Sequence, residues 1–146
     1  MSQPSADQTP VRIAVRKTDR PMVLVVDDDF DAREMYSEFL KSKGCDVYKA
    51  RDGAEAVKKA ADLWPNVIVM DLAMPHMNGW EAIRLLHQSS WTSMIPVIAV
   101  SAIADGRDAA FAVGCDAYLT KPCTPQVLWA QIQALLTPPD ARPPYK

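Results

Sequence analysis

Four short apolar runs that each end in a polar or charged residue constrain this chain more than any other feature. The runs begin near Met22, Val67, Ile95 and Ala117, and they lead into Asp27-Asp28, Asp71, Ser101 and Lys121-Pro122, respectively. Short apolar runs separated by helical segments are typical of buried parallel strands. The carboxyl ends of parallel strands open onto one edge of a sheet, where ligands bind. We therefore expect three carboxylates, a hydroxyl and an ammonium group to gather at that edge.

Amphipathic segments between these runs predict five helices, which cover about residues 30–43, 53–63, 79–88, 105–113 and 124–136. Residues 45–50 predict a further strand, with Val47 pointing inward, so strands and helices alternate. On the first helix, the 3.6-residue period places Ala32, Met35, Tyr36, Phe39 and Leu40 on the buried face. Strict alternation predicts an α/β fold in which a doubly wound, five-stranded parallel sheet carries helices on both faces.

The composition fits one domain and excludes several classes of protein. The chain has 146 residues, of which 49% are hydrophobic, and a net charge of −2, so it can bury a core. No basic stripe predicts binding to nucleic acid, and no apolar run approaches the length of a membrane span. The N-terminus lacks the apolar stretch of a signal peptide, which predicts a cytoplasmic protein. Three cysteines without metal-type spacing predict free thiols.

The ends of the chain differ in composition from its middle. Residues 1–20 are polar and predict a flexible N-terminal arm, although alternation at Val11, Ile13 and Val15 leaves a short edge strand open. Residues 21–137 form the predicted domain. Residues 138–146 form a proline-rich C-terminal tail, which we expect to be extended.

The residue types at the predicted strand ends point to phosphoryl chemistry. Asp27, Asp28 and Asp71 would repel one another unless a cation joined them. Oxygen-only ligands with an open coordination position suit Mg²⁺. A metal ion, an aspartate, the Ser101 hydroxyl and the Lys121 ammonium together make a site for a phosphoryl group.

The order and spacing of these motifs resemble the receiver domain of two-component response regulators, over roughly residues 21–137. The matching segments are Asp27-Asp28 after Val-Leu-Val-Val, Met70-Asp71-Leu-Ala-Met-Pro75 with Asn78-Gly79, Val100-Ser101-Ala102, and Tyr118-Leu-Thr-Lys121-Pro122. The resemblance implies a flavodoxin-like strand order of 2-1-3-4-5, which periodicity alone cannot give.

The resemblance also implies how the acidic residues act. Asp71 matches the phosphoacceptor, and Asp28 matches a direct Mg²⁺ ligand. Asp27 matches a partner that acts on the metal through water. Ala73 matches the position that offers a backbone carbonyl to the metal, a role that needs no side chain.

Further roles follow from the same resemblance. Ser101 matches a hydroxyl that bonds a phosphoryl oxygen, and Lys121 matches a lysine that pairs with the phosphoryl group. A cis bond is expected before Pro122. Tyr118 matches an aromatic switch residue, expected to turn inward when Ser101 moves. Ala73 and Ile103 flank the approach of the hydrolytic water and would modulate its attack.

The function implied is that of a stand-alone signalling switch rather than an enzyme, apart from its own phosphorylation and dephosphorylation. A histidine kinase or a histidine phosphotransfer protein would supply the phosphoryl group. The surface made of residues 105–113, the fifth strand and residues 124–136 would then change. Signalling would follow by contact with an unidentified downstream protein or by relay of the phosphate.

Three alternatives remain open at this point. Asp27-Asp28-Asp29, followed by Ser101 and Lys121, also fits a haloacid-dehalogenase-like phosphohydrolase, but the late acidic pair is missing and Asp71 is left unexplained. A flavin carrier could share the fold, although an acidic loop would repel the flavin phosphate. A receiver-like interaction module that is never phosphorylated is the third alternative.

Overall fold

Strands and helices alternate along the part of the chain that the computed structural model describes, which comprises residues 20–74, 77–103 and 105–136. The elements in order are β1 (Met22–Val26), α1 (Phe30–Ser42), β2 (Asp46–Ala50), α2 (Gly53–Leu63), β3 (Val67–Asp71), α3 (Gly79–Gln88), β4 (Val97–Ser101), α4 (Arg107–Val113), β5 (Ala117–Thr120) and α5 (Pro125–Leu136). The predicted alternation is confirmed, with boundaries that differ by up to two residues.

The sheet has five parallel strands in the order β2-β1-β3-β4-β5, as the resemblance implied. β3 lies in the centre, between β1 and β4. In the register of the ladders, Asp71 lies opposite Val100, and Ser101 lies opposite Thr120. The polar strand ends therefore meet at one edge of the sheet, as parallel pairing requires.

Two hydrophobic clusters cover the two faces of the sheet, because alternate strand residues point to opposite sides. One cluster contains Leu24, Ile68 and Ala99 with residues of α2, α3 and α4. The other contains Val23, Val67 and Ile98 with residues of α1 and α5. The helices are thus divided between the faces as predicted for a doubly wound sheet.

Side-chain oxygens cap the first turns of four helices, including α5, where Thr124 Oγ1 accepts a hydrogen bond from the Val127 N–H over 3.2 Å. Asp29, Asp52 and Asn78 each accept a hydrogen bond from a backbone N–H in the first turn of α1, α2 and α3. The Glu55 carboxylate accepts from the Arg51 N–H, one residue earlier than a standard capping box would have it. These caps satisfy N–H groups that lack an intrahelical partner.

Four of the five apolar residues predicted on the buried face of α1 are buried or pack against the core, namely Ala32, Tyr36, Phe39 and Leu40. Met35 was placed in the core, but it is 46% exposed. The buried positions are Arg33, Tyr36, Ser37 and Leu40, so two polar residues lie on the inner face. Apolar periodicity alone assigns polar side chains to solvent, and it therefore could not predict the burial of Arg33 and Ser37.

Several sequence-based expectations concern the chain ends. The predicted N-terminal arm, apart from Arg20, and the predicted C-terminal tail lie outside the described residues.

Within the described ranges, all three cysteines are free thiols. No helix there is long and apolar enough to cross a membrane.

Candidate functional site

Three carboxylates converge at the carboxyl edge of the central strands, as predicted. Asp27 and Asp28 follow β1, and Asp71 ends the adjacent strand β3. One oxygen atom of each of these three residues lies within 4.8 Å of the others. Asp27 and Asp71 are buried, whereas Asp28 is exposed. The cluster is therefore open to solvent on the side of Asp28, and its oxygen-only donors fit a hard divalent cation such as Mg²⁺.

Lys121, one residue beyond β5, reaches two of these carboxylates. Its Nζ lies 3.2 Å from Asp27 Oδ2 and 3.7 Å from Asp71 Oδ2. Burial acts to lower the pKa of this ammonium, but the carboxylates of Asp27 and Asp71 outweigh burial and raise the pKa above its usual value. Lys121 is therefore a permanent cation at this edge of the sheet. The peptide bond that follows it, before Pro122, is cis as expected.

Asp71 is electrostatically unfavourable as a carboxylate. Burial, followed by the charge of Asp27, raises the pKa of Asp71 to about 7 against the opposing effects of Lys121 and of the Ala73 N–H. That N–H donates to Asp71 Oδ1 over 3.2 Å. One ammonium thus does not compensate for the crowded carboxylates, and a further cation would be stabilised here.

The hydroxyl of Ser101 lies at the end of β4 and is fully buried. Its Oγ accepts a hydrogen bond from the Ile103 N–H over 3.0 Å. The hydroxyl of Tyr118, on β5, donates to the carbonyl of the same residue. The backbone of Ile103 therefore joins the two predicted switch residues. Sequence patterns carry no signal for this link, because it is made by backbone atoms.

Tyr118 lies in an inward position in this structure, and its role as a switch residue stays a prediction. Its side chain is already buried in the cluster of α2, α3 and α4. A Cβ added to Gly106 would lie 2.9 Å from the Tyr118 hydroxyl and 3.2 Å from the ring of Trp80. The absence of a side chain at Gly106 makes room for the inward position.

Gly79 is a site residue whose importance the sequence analysis missed. Its N–H donates to the Leu72 carbonyl over 3.0 Å. A Cβ at this position would lie 2.3 Å from the backbone oxygen of Asp71. The first residue of α3 thus packs directly on the backbone of the acidic strand end. The Asn78-Gly79 pair had indicated a helix start, but not this close approach.

A groove of about 670 Å³ adjoins the site. It runs between α1 and the loop after β5, and its lining includes Asp29, Met35, Lys121 and Pro122. Phe30, in the first turn of α1, is also exposed. The acidic site is therefore bordered by apolar surface.

Comparison with known proteins agrees with this geometry. The family model of the response regulator receiver domain matches residues 23–133. Protein PilG of Pseudomonas aeruginosa is 37% identical, over 86% of this chain and 97% of its own length. The DNA-binding response regulator MtrA of Mycobacterium bovis is 34% identical, but the chain spans only 55% of MtrA.

Solved structures give the same result. The chemotaxis response regulator CheY4 of Vibrio cholerae has 31% sequence identity and a TM-score of 0.74, over 80% of this chain and 98% of CheY4. A putative response regulator from Chloroflexus aurantiacus has 26% identity and a TM-score of 0.78, over 82% of this chain and all of that one (100%). These similarities exclude the phosphohydrolase and flavin-carrier alternatives. The chain belongs to the response regulator receiver domain family, whose members are phosphorylation-activated switches of two-component signalling.

Proposed function

We propose that this chain accepts a phosphoryl group on Asp71 and uses it to bias the surface formed by α4, β5 and α5. The observation that carries the proposal is the position of Asp71. It is buried at the end of the central strand, 3.7 Å from the ammonium of Lys121 and grouped with Asp27 and Asp28. Lys121, together with a cation bound by the three carboxylates, can neutralise the negative charge of a phosphoryl group that arrives at Asp71.

The reaction would be a transfer between two covalent carriers. An Asp71 oxygen forms a bond to phosphorus, the P–N bond of a phosphohistidine donor breaks, and its electron pair returns to the imidazole. Lys121 holds the incoming phosphoryl oxygens by charge, and the Ser101 hydroxyl supplies a short donor. A bound Mg²⁺ would contribute charge neutralisation between carboxylate and phosphoryl oxygens.

The metal would be held by Asp28, Asp71 and the backbone carbonyl of Ala73, with Asp27 acting through water. The hydrogen bonds of Asp27 support its indirect role. Its Oδ1 accepts the Asp29 N–H over 2.9 Å, and its Oδ2 accepts from Lys121. Both oxygens are therefore engaged within the protein, whereas the exposed carboxylate of Asp28 faces the open side of the site.

The phosphoryl donor would be a histidine kinase or a histidine phosphotransfer protein. The groove between α1 and the loop after β5 leads to Lys121, and it is bordered by exposed Phe30 and Met35. An apolar protein surface can dock there and present an imidazole to Asp71. Beyond this transfer and the later loss of the phosphoryl group, the chain would act as a signalling module rather than an enzyme.

The switch would run through the backbone of Ile103. A phosphoryl group gives the Ser101 hydroxyl a charged acceptor, and a bond of this kind contributes roughly 1.5–3 kcal/mol. Movement of Ser101 would displace the backbone of Ile103, whose N–H donates to Ser101 and whose carbonyl accepts from Tyr118. Because Tyr118 is already buried, phosphorylation would stabilise an accessible conformation rather than create one. A downstream protein would read the resulting shift in α4, β5 and α5.

We expect Asp71→Asn to abolish phosphorylation. Incubation with Mg²⁺ and a small acyl-phosphate donor should add one phosphoryl mass to the native chain and none to the variant, measured by intact mass spectrometry. The exposed Asp62→Asn variant on α2 serves as the control. Normal labelling of Asp71→Asn, or equal labelling in chelator, would refute the assignment, and an unlabelled native chain would favour the unphosphorylated interaction module.

We expect the same variant to be more stable than the native chain at pH 8 in chelator. The pKa of Asp71 is about 7 in the fold and about 3.9 when unfolded. A raised carboxyl pKa means that native stability is lost as pH rises from about 4 through 7. The full shift corresponds to about 4 kcal/mol, but water at the site screens part of it, so we expect about 1–2 kcal/mol.

Thermal unfolding at pH 4 and pH 8 measures this difference. The advantage of Asp71→Asn should be several degrees at pH 8, should vanish near pH 4, and should shrink when Mg²⁺ is added at pH 8. A stability difference that is the same at both pH values would contradict the raised pKa.

We expect the phosphoryl group to be long-lived because Ala73 and Ile103 are exposed and carry no hydrogen-bonding side chain. Neither can orient an attacking water. The double variant Ala73→Asn with Ile103→Glu should shorten the lifetime by roughly ten-fold, a modest share of what acid–base positioning contributes. Met94→Gln, exposed in the loop before β4, is the control. An unchanged or longer lifetime in the double variant argues against these modulating roles.

We expect the phosphoryl mimic beryllofluoride to alter amide hydrogen exchange mainly in residues 101–120. Ser101, Ile103 and Tyr118 are connected by hydrogen bonds there, and α4 is a short helix that moves easily. Asp71→Asn, treated in the same way, should remain unchanged. Changes confined to residues 30–60 would exclude the proposed output surface.

A further inference from the structure

We infer that Arg33 is a positioning residue for the metal-binding turn, residues 27–29. Its guanidinium lies on the inner face of α1, with the residue only 8% exposed. Its Nη1 donates a buried hydrogen bond to the Asp27 carbonyl over 2.9 Å. The inference rests on the proposed function in one respect, namely that Asp27, Asp28 and Asp71 form the Mg²⁺ site.

A buried arginine on the inner face of α1 is unusual and requires a physical explanation. Arginine is seldom buried, because removing its charge from water is unfavourable unless hydrogen bonds and charges compensate. In this structure the compensation comes from the Asp27 carbonyl and from the nearby ring of Phe30, whose centroid is 5.4 Å from the guanidinium carbon. The side chain therefore reaches from the second turn of α1 back to the acidic turn that precedes the helix.

Arg33 binds the Asp27 carbonyl oxygen, and the orientation of that carbonyl affects where the Asp28 side chain points. The Asp27 carbonyl and the Asp28 N–H belong to one rigid peptide plane. The Asp27 N–H donates to Ala50 on one side, and the Asp29 N–H donates to Asp27 Oδ1 on the other. The bond from Arg33 adds a third constraint, which acts on the plane between the two acidic residues. Without the hydrogen bond from Arg33, this peptide plane would rotate more freely, and the Asp28 carboxylate would be held less firmly in its position.

Charge and geometry predict opposite effects on the metal. A guanidinium bonded to the backbone of the acidic turn repels a second cation bound there, so its removal would strengthen Mg²⁺ binding if charge alone mattered. If Arg33 orients the turn, its removal weakens Mg²⁺ binding. Replacement of residues that orient metal ligands typically weakens affinity by 10–100-fold. The direction of the change therefore distinguishes the two roles.

Two substitutions at Arg33 divide its contributions. Arg33→Met keeps an apolar stem of similar length and removes both the charge and the donor. Arg33→Lys keeps the charge but replaces the planar fork with a single ammonium group. Arg84→Met on α3 is the matched control, because Arg84 is exposed and pairs only with Glu81 among the described residues.

The test is an Mg²⁺ titration followed by the amide chemical shifts of residues 27–29, with exchange of the Asp29 amide measured in chelator. We expect roughly ten-fold weaker binding in Arg33→Met, weaker binding in Arg33→Lys, and no change in Arg84→Met. Without metal, the Asp29 amide should exchange faster in Arg33→Met than in the native chain.

The possible results separate the two proposals. Tighter or unchanged Mg²⁺ binding in folded Arg33→Met overturns the positioning role while the proposed function stands. If Arg33→Met does not fold, Arg33→Lys decides, and native affinity in that variant overturns the inference. A native chain whose residues 27–29 do not respond to Mg²⁺ overturns the metal site itself, and the positioning role with it.

Discussion

Crowding of carboxylates at the end of the central strands is the interaction on which the rest of this site depends. Parallel pairing of β1 and β3 brings Asp27, Asp28 and Asp71 together, and two of the three are buried. Lys121 contacts Asp27 and Asp71 but leaves the pKa of Asp71 raised to about 7. In the folded state the neighbouring carboxylates are therefore electrostatically unfavourable, and binding of a divalent cation or a proton would stabilise them. A site of this kind responds to small changes of charge, which suits a switch.

The strand ends of β4 and β5 are linked through the backbone of one residue, Ile103. Ile103 receives Tyr118 on its carbonyl and gives its N–H to Ser101. On the proposed function, a movement of Ser101 toward a phosphoryl oxygen would reach Tyr118 of β5 through this residue. Gly106 makes room for the inward ring of Tyr118, and α4 begins directly after it. The region that would move is short and peripheral, whereas the five strands that hold the carboxylates are buried.

The acidic turn is held more firmly than its loop-like sequence suggests. Its backbone is bonded to Ala50 of the neighbouring strand, and its carbonyl is bonded to the guanidinium of Arg33. At the end of β3, Gly79 packs against the backbone of Asp71. The contacts of Arg33 and Gly79 come from α1 and α3, the helices that follow the acidic residues in sequence. The helices therefore contribute orientation to the site as well as a hydrophobic face.

The sequence by itself determined the alternation of strands and helices and the identity of the acidic residues. These features depend on local patterns: apolar runs, helical periodicity, and polar side chains at element ends. The strand order came from resemblance, because many orders are compatible with the same alternation. Only the tertiary structure decided which polar side chains are buried. Arg33 turned inward in place of Met35 because a partner outside the helix, the Asp27 carbonyl, accepts a hydrogen bond from its guanidinium, whereas the buried Ser37 hydroxyl has no hydrogen-bond partner among the described residues. The tertiary structure also decided the inward position of Tyr118 and the close approach of Gly79 to Asp71. Both depend on contacts with backbone atoms of distant residues, which the periodicity of apolar residues does not reveal.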